Sequence, residues 1–326
     1  MLKAALRLFK LGLPLALLAY FVWRFVDPVA FLSLMAKTGL VPVIAFLGTL
    51  LAARWVQALQ TRNAMREAGL TVGAAEIFRA QLVATFYTMF VPGDLVGGGV
   101  TWYLLKRSRG GGAAIATVLV YLRLVFLVTA IPFVIFGLIA ETRLHSTALF
   151  LALFAASVAT VAVTLPLVLR SAARVSGDLI AVISSRFGEG KGRFQRALAT
   201  LRECITTCAA ASASATWTVF SFAIALHILG AIGLWLAAEA AHANVPLHAF
   251  LWVWPLMIVV HMLPLSFGGL GVREITLIYV LSTLYSTSAE SVLLLSMIAL
   301  FATTLFSLAG GIWNSFGAAG SGKDSA

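Results

Sequence analysis

Charge is scarce in this chain. Only 11% of its 326 residues are Asp, Glu, Lys or Arg, about half the share a soluble domain carries, which excludes an ordinary water-soluble fold. Cysteine is scarcer still: there are two, Cys204 and Cys208. They stand four apart on a helical pattern in a segment expected to face the cytoplasm, so a disulfide is not expected. With no further Cys and no cluster among the His residues, no metal-ligand spacing arises. The P-loop pattern G-x-x-x-x-G-K-[ST] is missing, which argues against direct drive by ATP. A G-x-S-x-G elbow and paired membrane carboxylates are missing too, so no catalytic activity, cofactor or metal is expected.

Apolar residues are what the chain has in abundance: 61% of the total, with a mean hydropathy of +1.00. A bilayer core requires about 20 helical residues to cross, and several continuous runs reach that length. A β-barrel would instead alternate over ~10-residue segments. The expected fold is therefore all-α: a polytopic membrane bundle of about 7–8 segments plus two broken or re-entrant helical elements. We read 1–326 as one membrane domain. Its first half, 1–169, holds the broken element 76–103. A basic amphipathic segment, 170–210, precedes the second half, 211–314, with the broken element 263–285. A short tail, 315–326, follows.

The runs are Leu11 to Leu34 (interrupted by Arg24, Asp27 and Pro28), Gly39 to Leu59, Glu76 to Tyr103, Ala113 to Ala140 and Thr147 to Leu169. Thr216 to Glu239, Leu247 to Leu263, Val272 to Tyr285 and Ala289 to Trp313 follow. The net charge of +11 comes from short loops between these runs, the positive-inside pattern. It places both termini in the cytoplasm of a bacterial-type cell, with the protein in the inner membrane. No basic domain with exposed stacking aromatics points to nucleic acid. Basic clusters on both sides of 76–103 face the same compartment, so that stretch should enter and return rather than cross once.

In the segment 170–210, Phe194, Leu198, Leu201, Ile205 and Cys208 draw one apolar stripe along a helix. Its basic face suits anionic headgroups, but the preferred reading is a cap on the cytoplasmic end of the bundle. His227 and His261 lie on apolar faces and read as hydrogen-bonded core residues. Trp252 and Trp254 read as interface anchors or packing.

Function concentrates at two interruptions. Val91-Pro92-Gly93-Asp94-Leu95-Val96-Gly97-Gly98-Gly99 breaks the first half, and Leu263-Pro264-Leu265-Ser266-Phe267-Gly268-Gly269-Leu270-Gly271 the second. Proline removes a backbone donor and opens the helix. The freed polar groups must then be buried in protein or line a wet cavity. Paired Gly/Pro breaks in two halves point to a binding site at the membrane midplane; a tight hairpin packed through glycine is the competing reading. Asp94, Arg123, Arg273 and Glu274 fall at or near membrane depth, where ionisable groups need partners. A helix starting at Val272 would aim its free N–H groups at an anion such as a lipid phosphate. Arg273 could hold that anion or neutralise Asp94.

The run Leu263-Pro264-x-Ser266-x-Gly268-Gly269-x-Gly271-Val272-Arg273-Glu274 resembles the C-terminal signature of the lysylphosphatidylglycerol synthase transmembrane-region family, the flippase-like membrane proteins. The resemblance extends to Arg54-Trp55, Val91-Pro92-Gly93 with Gly97-Gly98, and Gly310-Gly311. It implies a lipid flippase or an accessory of one, without the aminoacyl-transferase domain that some members carry. Two positions depart from the family pattern. Thr85 and Thr88 stand where an Asn commonly precedes the first Pro-Gly, and Leu122 stands where an acid commonly precedes the arginine matching Arg123.

The leading expectation is translocation of an anionic phospholipid or a polyprenyl-type glycolipid across the membrane. The binding set would be Arg273, Glu274, Asp94, Arg123, Pro92, Gly93, Gly97, Gly98, Pro264, Ser266, Gly268, Gly269 and Gly271. The alternatives are a non-transporting assembly subunit of an envelope lipid pathway and an intramembrane lipid-carrier transferase. Membrane lipids are the expected partners, with a second copy or a pathway enzyme as the protein partners.

Overall fold

The computed structural model describes residues 27–90, 95–141, 212–262 and 272–320, with four positions between 151 and 158. The run 147–169, the amphipathic segment 170–210 with Cys204 and Cys208, His261, and most of the two interruptions lie wholly or largely outside the described residues. Every regular element among the described residues is an α-helix. In chain order these are α1 Pro28–Ala36, α2 Leu40–Glu67, α3 Ala74–Phe90, α4 Leu95–Arg109 and α5 Gly112–Ala140. Then come α6 Ala213–Ala240, α7 Leu247–Met262, α8 Val272–Tyr285 and α9 Ala289–Gly320.

Length sorts these helices into two groups. α2, α5, α6 and α9 are long and apolar enough to cross a membrane. At 17, 15, 16 and 14 residues, α3, α4, α7 and α8 measure about 21–26 Å at 1.5 Å per residue. Over the described residues that falls short of a hydrocarbon core ~30 Å thick. α3, α4, α7 and α8 are the helices that flank the two interruptions.

α1 begins where the sequence reads as interrupted. The Asp27 carboxylate accepts from the Val29 N–H at 2.8 Å and the Ala30 N–H at 3.4 Å, and Pro28 occupies the first helical position. These are start signals for a nine-residue helix, because the cap satisfies donors the first turn leaves open and Pro loses nothing there.

The chain divides into two compact units, Met1–Ala53 with Arg79–Val100 and Ile228–Ala326, and Arg54–Phe78 with Thr101–His227. In the first unit α7 packs on α8, α8 on α9, and α9 on α1. Its core includes Phe250, Val253, Met257, Leu277, Leu281, Val292 and Leu295. Trp252 is 1% exposed and so packs rather than anchors an interface. Gly230 leaves room for the Trp254 indole, which a methyl there would overlap. Polar ties close the ends: Thr287 Oγ1 donates to the Ala243 carbonyl at 3.1 Å, and the Asp27 N–H donates to Glu290 Oε1 at 3.0 Å.

In the second unit the buried Gln60 Nε2 donates to the Val219 carbonyl at 3.0 Å. His227, 1% exposed, stacks on Phe126 with ring centroids 4.3 Å apart and 8° between planes, and leans on Phe133 at 5.4 Å. Its Nε2 lies 2.9 Å from the Phe126 carbonyl. A carbonyl can only accept, so Nε2 carries the proton. This histidine is the hydrogen-bonded core residue expected from its apolar surroundings.

Candidate functional site

The first interruption is framed by α3 and α4. A methyl built on Gly97 would lie 3.0 Å from Thr88 Cγ2. A straight helix would separate residues nine apart by about 14 Å, so the start of α4 packs against the end of α3 rather than continuing it. Gly97 is thus a close-approach glycine, whereas Gly98 faces open space. Thr85 and Thr88, which stand in place of the expected Asn, spend their hydroxyls on their own helix. They donate to the Gln81 carbonyl at 2.9 Å and the Thr85 carbonyl at 2.8 Å. Pro92, Gly93 and Asp94 lie outside the described residues.

The far ends of the same helices meet in an ion pair. Arg109 Nη2 lies 2.7 Å from Glu76 Oε2, Arg109 Nε donates to that oxygen at 3.2 Å, and Ser108 Oγ donates to Glu76 Oε1 at 2.6 Å. Nearby, Lys106 Nζ sits 4.8 Å from the Trp102 ring centroid, and Trp102 Nε1 donates to the Gly112 carbonyl at 2.7 Å. Gly110 and Gly111, at φ of 73° and 61°, supply the left-handed turn that only glycine adopts without strain.

The hydrogen bond from Arg109 holds the Glu76 carboxyl below its ordinary value of 4.5, and the Ser108 hydroxyl adds to it. Because the folded pKa is depressed, the pair stabilises fully above pH ~4.5 and the contribution fades as pH falls through the lower folded value. The expected result is a melting temperature that drops as the pH of the native protein is taken below about 4.5. Glu76→Gln should melt lower at neutral pH and lose this part of the acid sensitivity. A native-like acid profile in Glu76→Gln would remove the pair as its cause.

α7 and α8 frame the second interruption and pack against each other. Pro264, Ser266, Gly268, Gly269 and Gly271 lie outside the described residues, as do the side chains of Arg273 and Glu274. Their backbone is described: α8 begins at Val272, so Arg273 and Glu274 occupy its first turn. The helices flanking both interruptions, from Arg79 to Phe90, Leu95 to Val100, and 247 to 285, belong to one unit. Arg123 lies partly buried on α5 in the other unit and has an interaction partner there or elsewhere in the chain.

The structure adds residues that the reading of the sequence did not place in the site. α3 lies along α9 through a series of matched contacts. The Arg79 guanidinium lies 5.6 Å from the Trp313 ring centroid, and Ser307 Oγ donates to the Thr85 carbonyl at 3.2 Å. Asn314 Nδ2 donates to the Tyr87 hydroxyl at 3.3 Å. A Cβ at Gly310 would run into the Leu82 carbonyl, and one at Gly311 into the Phe86 ring. The Gly310-Gly311 pair was the available signal, but its partners on α3 were not. No group of His, Cys, Asp and Glu that could hold a metal is found among the described residues.

Four helices of spanning length among the described residues, shorter apolar helices between them, and buried contacts built from small residues define a polytopic α-helical membrane protein. Residues 7–311 match the model of the lysylphosphatidylglycerol synthase transmembrane region, and the chain belongs to that family. No curated protein and no solved structure matches it. Membership ties the protein to membrane-lipid biosynthesis or translocation.

Proposed function

We propose that this protein moves a lipid with an anionic headgroup, a phospholipid or a polyprenyl-type glycolipid, between the leaflets of the inner membrane. The observation that carries the reading is the pairing of short helices. α3 with α4, and α7 with α8, are short over their described residues, and each pair brackets a Gly/Pro-rich segment within one compact unit. Discontinuous helices of this kind are how membrane transporters present backbone polar groups to a ligand at mid-depth. In this reading the α3–α4 pair enters and returns on the cytoplasmic side. The Glu76–Arg109 pair and the basic residues at 106–109 lie at the headgroup level. Both termini are cytoplasmic.

The first turn of α8, with Arg273, holds the phosphate. Glu274 and Asp94 balance the charge or couple protons. The protein performs no covalent chemistry in this account and binds no nucleic acid. Its partners are membrane lipids, with a second copy of itself or a pathway enzyme alongside.

Headgroup accessibility in proteoliposomes tests the reading. Labelled anionic and zwitterionic lipids are followed with and without an imposed pH gradient and membrane potential. Faster exchange of the anionic class is the expected result. Exchange equal to protein-free liposomes under every gradient would overturn autonomous translocation and favour an accessory subunit.

A further inference from the structure

Three of the contacts between α3 and α9 share one register. Each three-residue step along α3 is matched by a three-residue step back along α9: Arg79 with Trp313, Leu82 with Gly310, Thr85 with Ser307. The two helices therefore run antiparallel, and continuing the register brings Phe90, the last residue of α3, level with Ala302. α8 and α9 also pack against each other. They are joined only by the segment 286–288, so Tyr285 is level with Ala289. Counting back along α8 brings its first residue, Val272, level with Ala302 as well. The apolar span of α9 runs from Ala289 to Ser315, and Ala302 is its central residue.

We infer that α9 sets a common membrane depth for the end of α3 and the start of α8, holding both at the level of Ala302, with Ser307, Gly310 and Gly311 as the residues that position α3. Ser307 is 0% exposed, and its hydroxyl reaches a carbonyl of the facing helix. The two glycines let α9 approach that helix at backbone distance, which any side chain would prevent. A shift of α3 by one turn would move its end about 5 Å relative to the start of α8. Two elements that share one ligand require a common level, and to that extent the inference rests on the translocation reading. The register itself stands on the contacts alone.

The test uses nitroxide labels in reconstituted full-length protein carrying Cys204→Ser and Cys208→Ser. Met89→Cys, Val272→Cys and Phe301→Cys are labelled one at a time, and depth is read from collision with oxygen and a nickel chelate. The expected depths agree within about 5 Å, one helical turn, and lie near the bilayer centre. Depths two turns or more apart would overturn the shared level.

Positioning is tested by disulfide formation in Thr85→Cys/Ser307→Cys. Adding Gly311→Ala should slow the cross-link roughly tenfold, because the new methyl meets the Phe86 ring, and adding Phe86→Leu should restore it. An unchanged rate in Gly311→Ala would overturn the positioning role. Lipid exchange is measured on the same labelled proteins. Matching depths with no exchange would sink translocation and leave the register standing, whereas unmatched depths with brisk exchange would do the reverse.

Discussion

Replacing His227 by alanine should destabilise the protein by about 3 kcal/mol, the range found when a buried ring is cut back to a methyl. The imidazole lies flat on Phe126 and against Phe133, so truncation leaves a hole between α5 and the first part of α6. Dispersion contacts account for most of the association between membrane helices, and lipid cannot refill a closed interior. His227→Phe should behave differently. His227 Nε2 donates to the Phe126 carbonyl, yet that carbonyl also accepts from Thr129 Oγ1 at 3.1 Å, so it keeps a side-chain partner. The other ring nitrogen, Nδ1, is buried with no hydrogen-bond partner among the described residues, and phenylalanine deletes that unmet acceptor. Removing donor and unmet acceptor together is close to neutral, and we expect a loss under about 1.5 kcal/mol. Unfolding in mixed micelles, followed by circular dichroism, gives both numbers. If His227 were a proton relay, His227→Phe would fold normally and abolish gradient-driven exchange, while stability would barely distinguish Ala from Phe.

The sequence marked the helices wherever chain-local signals decide them. Val272–Tyr285 was legible to the residue because a glycine run precedes it and the polar turn 286–288 follows. α7, bounded by Pro246 and Pro264, came within one residue. Errors arose where charge or proline was read as an end. α2 continues past Leu59 to Glu67 because Gln60 and Thr61, polar by type, are buried there, with Gln60 bonded to Val219. Polarity there marks the membrane edge, not the end of the helix. Asp27 and Pro28, read as a break in the run Leu11 to Leu34, begin α1, since the residues that interrupt a helix are also the ones that start one.

The candidate site was legible in part. Gly97 carries the close approach that its position beside Pro92-Gly93 suggested, and Arg273 and Glu274 fall on the opening turn of a helix. Arg123 belongs to the other unit, which no local signal could reveal. The α3–α9 contacts were hidden for the same reason. Ser307 and Thr85 are separated by 222 positions, and nothing in either local stretch names the other.

Arg273→Ala should lower the exchange of anionic lipids by about 10- to 100-fold, equivalent to losing one or two hydrogen bonds to a charged group, and should leave stability unchanged or slightly higher. The second half of that expectation gives the experiment its discrimination. The first turn of α8 leaves backbone N–H groups without helical partners, and the helix dipole makes that end positive. An arginine placed there adds like charge to like, unfavourable by about 0.3–1 kcal/mol to the helix alone. A glutamate at the next position is favourable by the same argument, so Glu274→Ala should cost a few tenths of a kcal/mol in stability. Arg273 therefore sits where it works against its own helix, the arrangement expected of a residue retained for an anion that visits the site. Arg273→Lys should keep part of the exchange, since a point charge attracts phosphate without the two-pronged geometry of guanidinium. The opposite pattern has a distinct meaning. If Arg273→Ala loses about 2 kcal/mol or more in stability and Asp94→Asn restores it, Arg273 neutralises Asp94 inside the membrane, where breaking a pair leaves an uncompensated charge. The phosphate would then have to be held by backbone N–H groups of the second interruption rather than by this side chain.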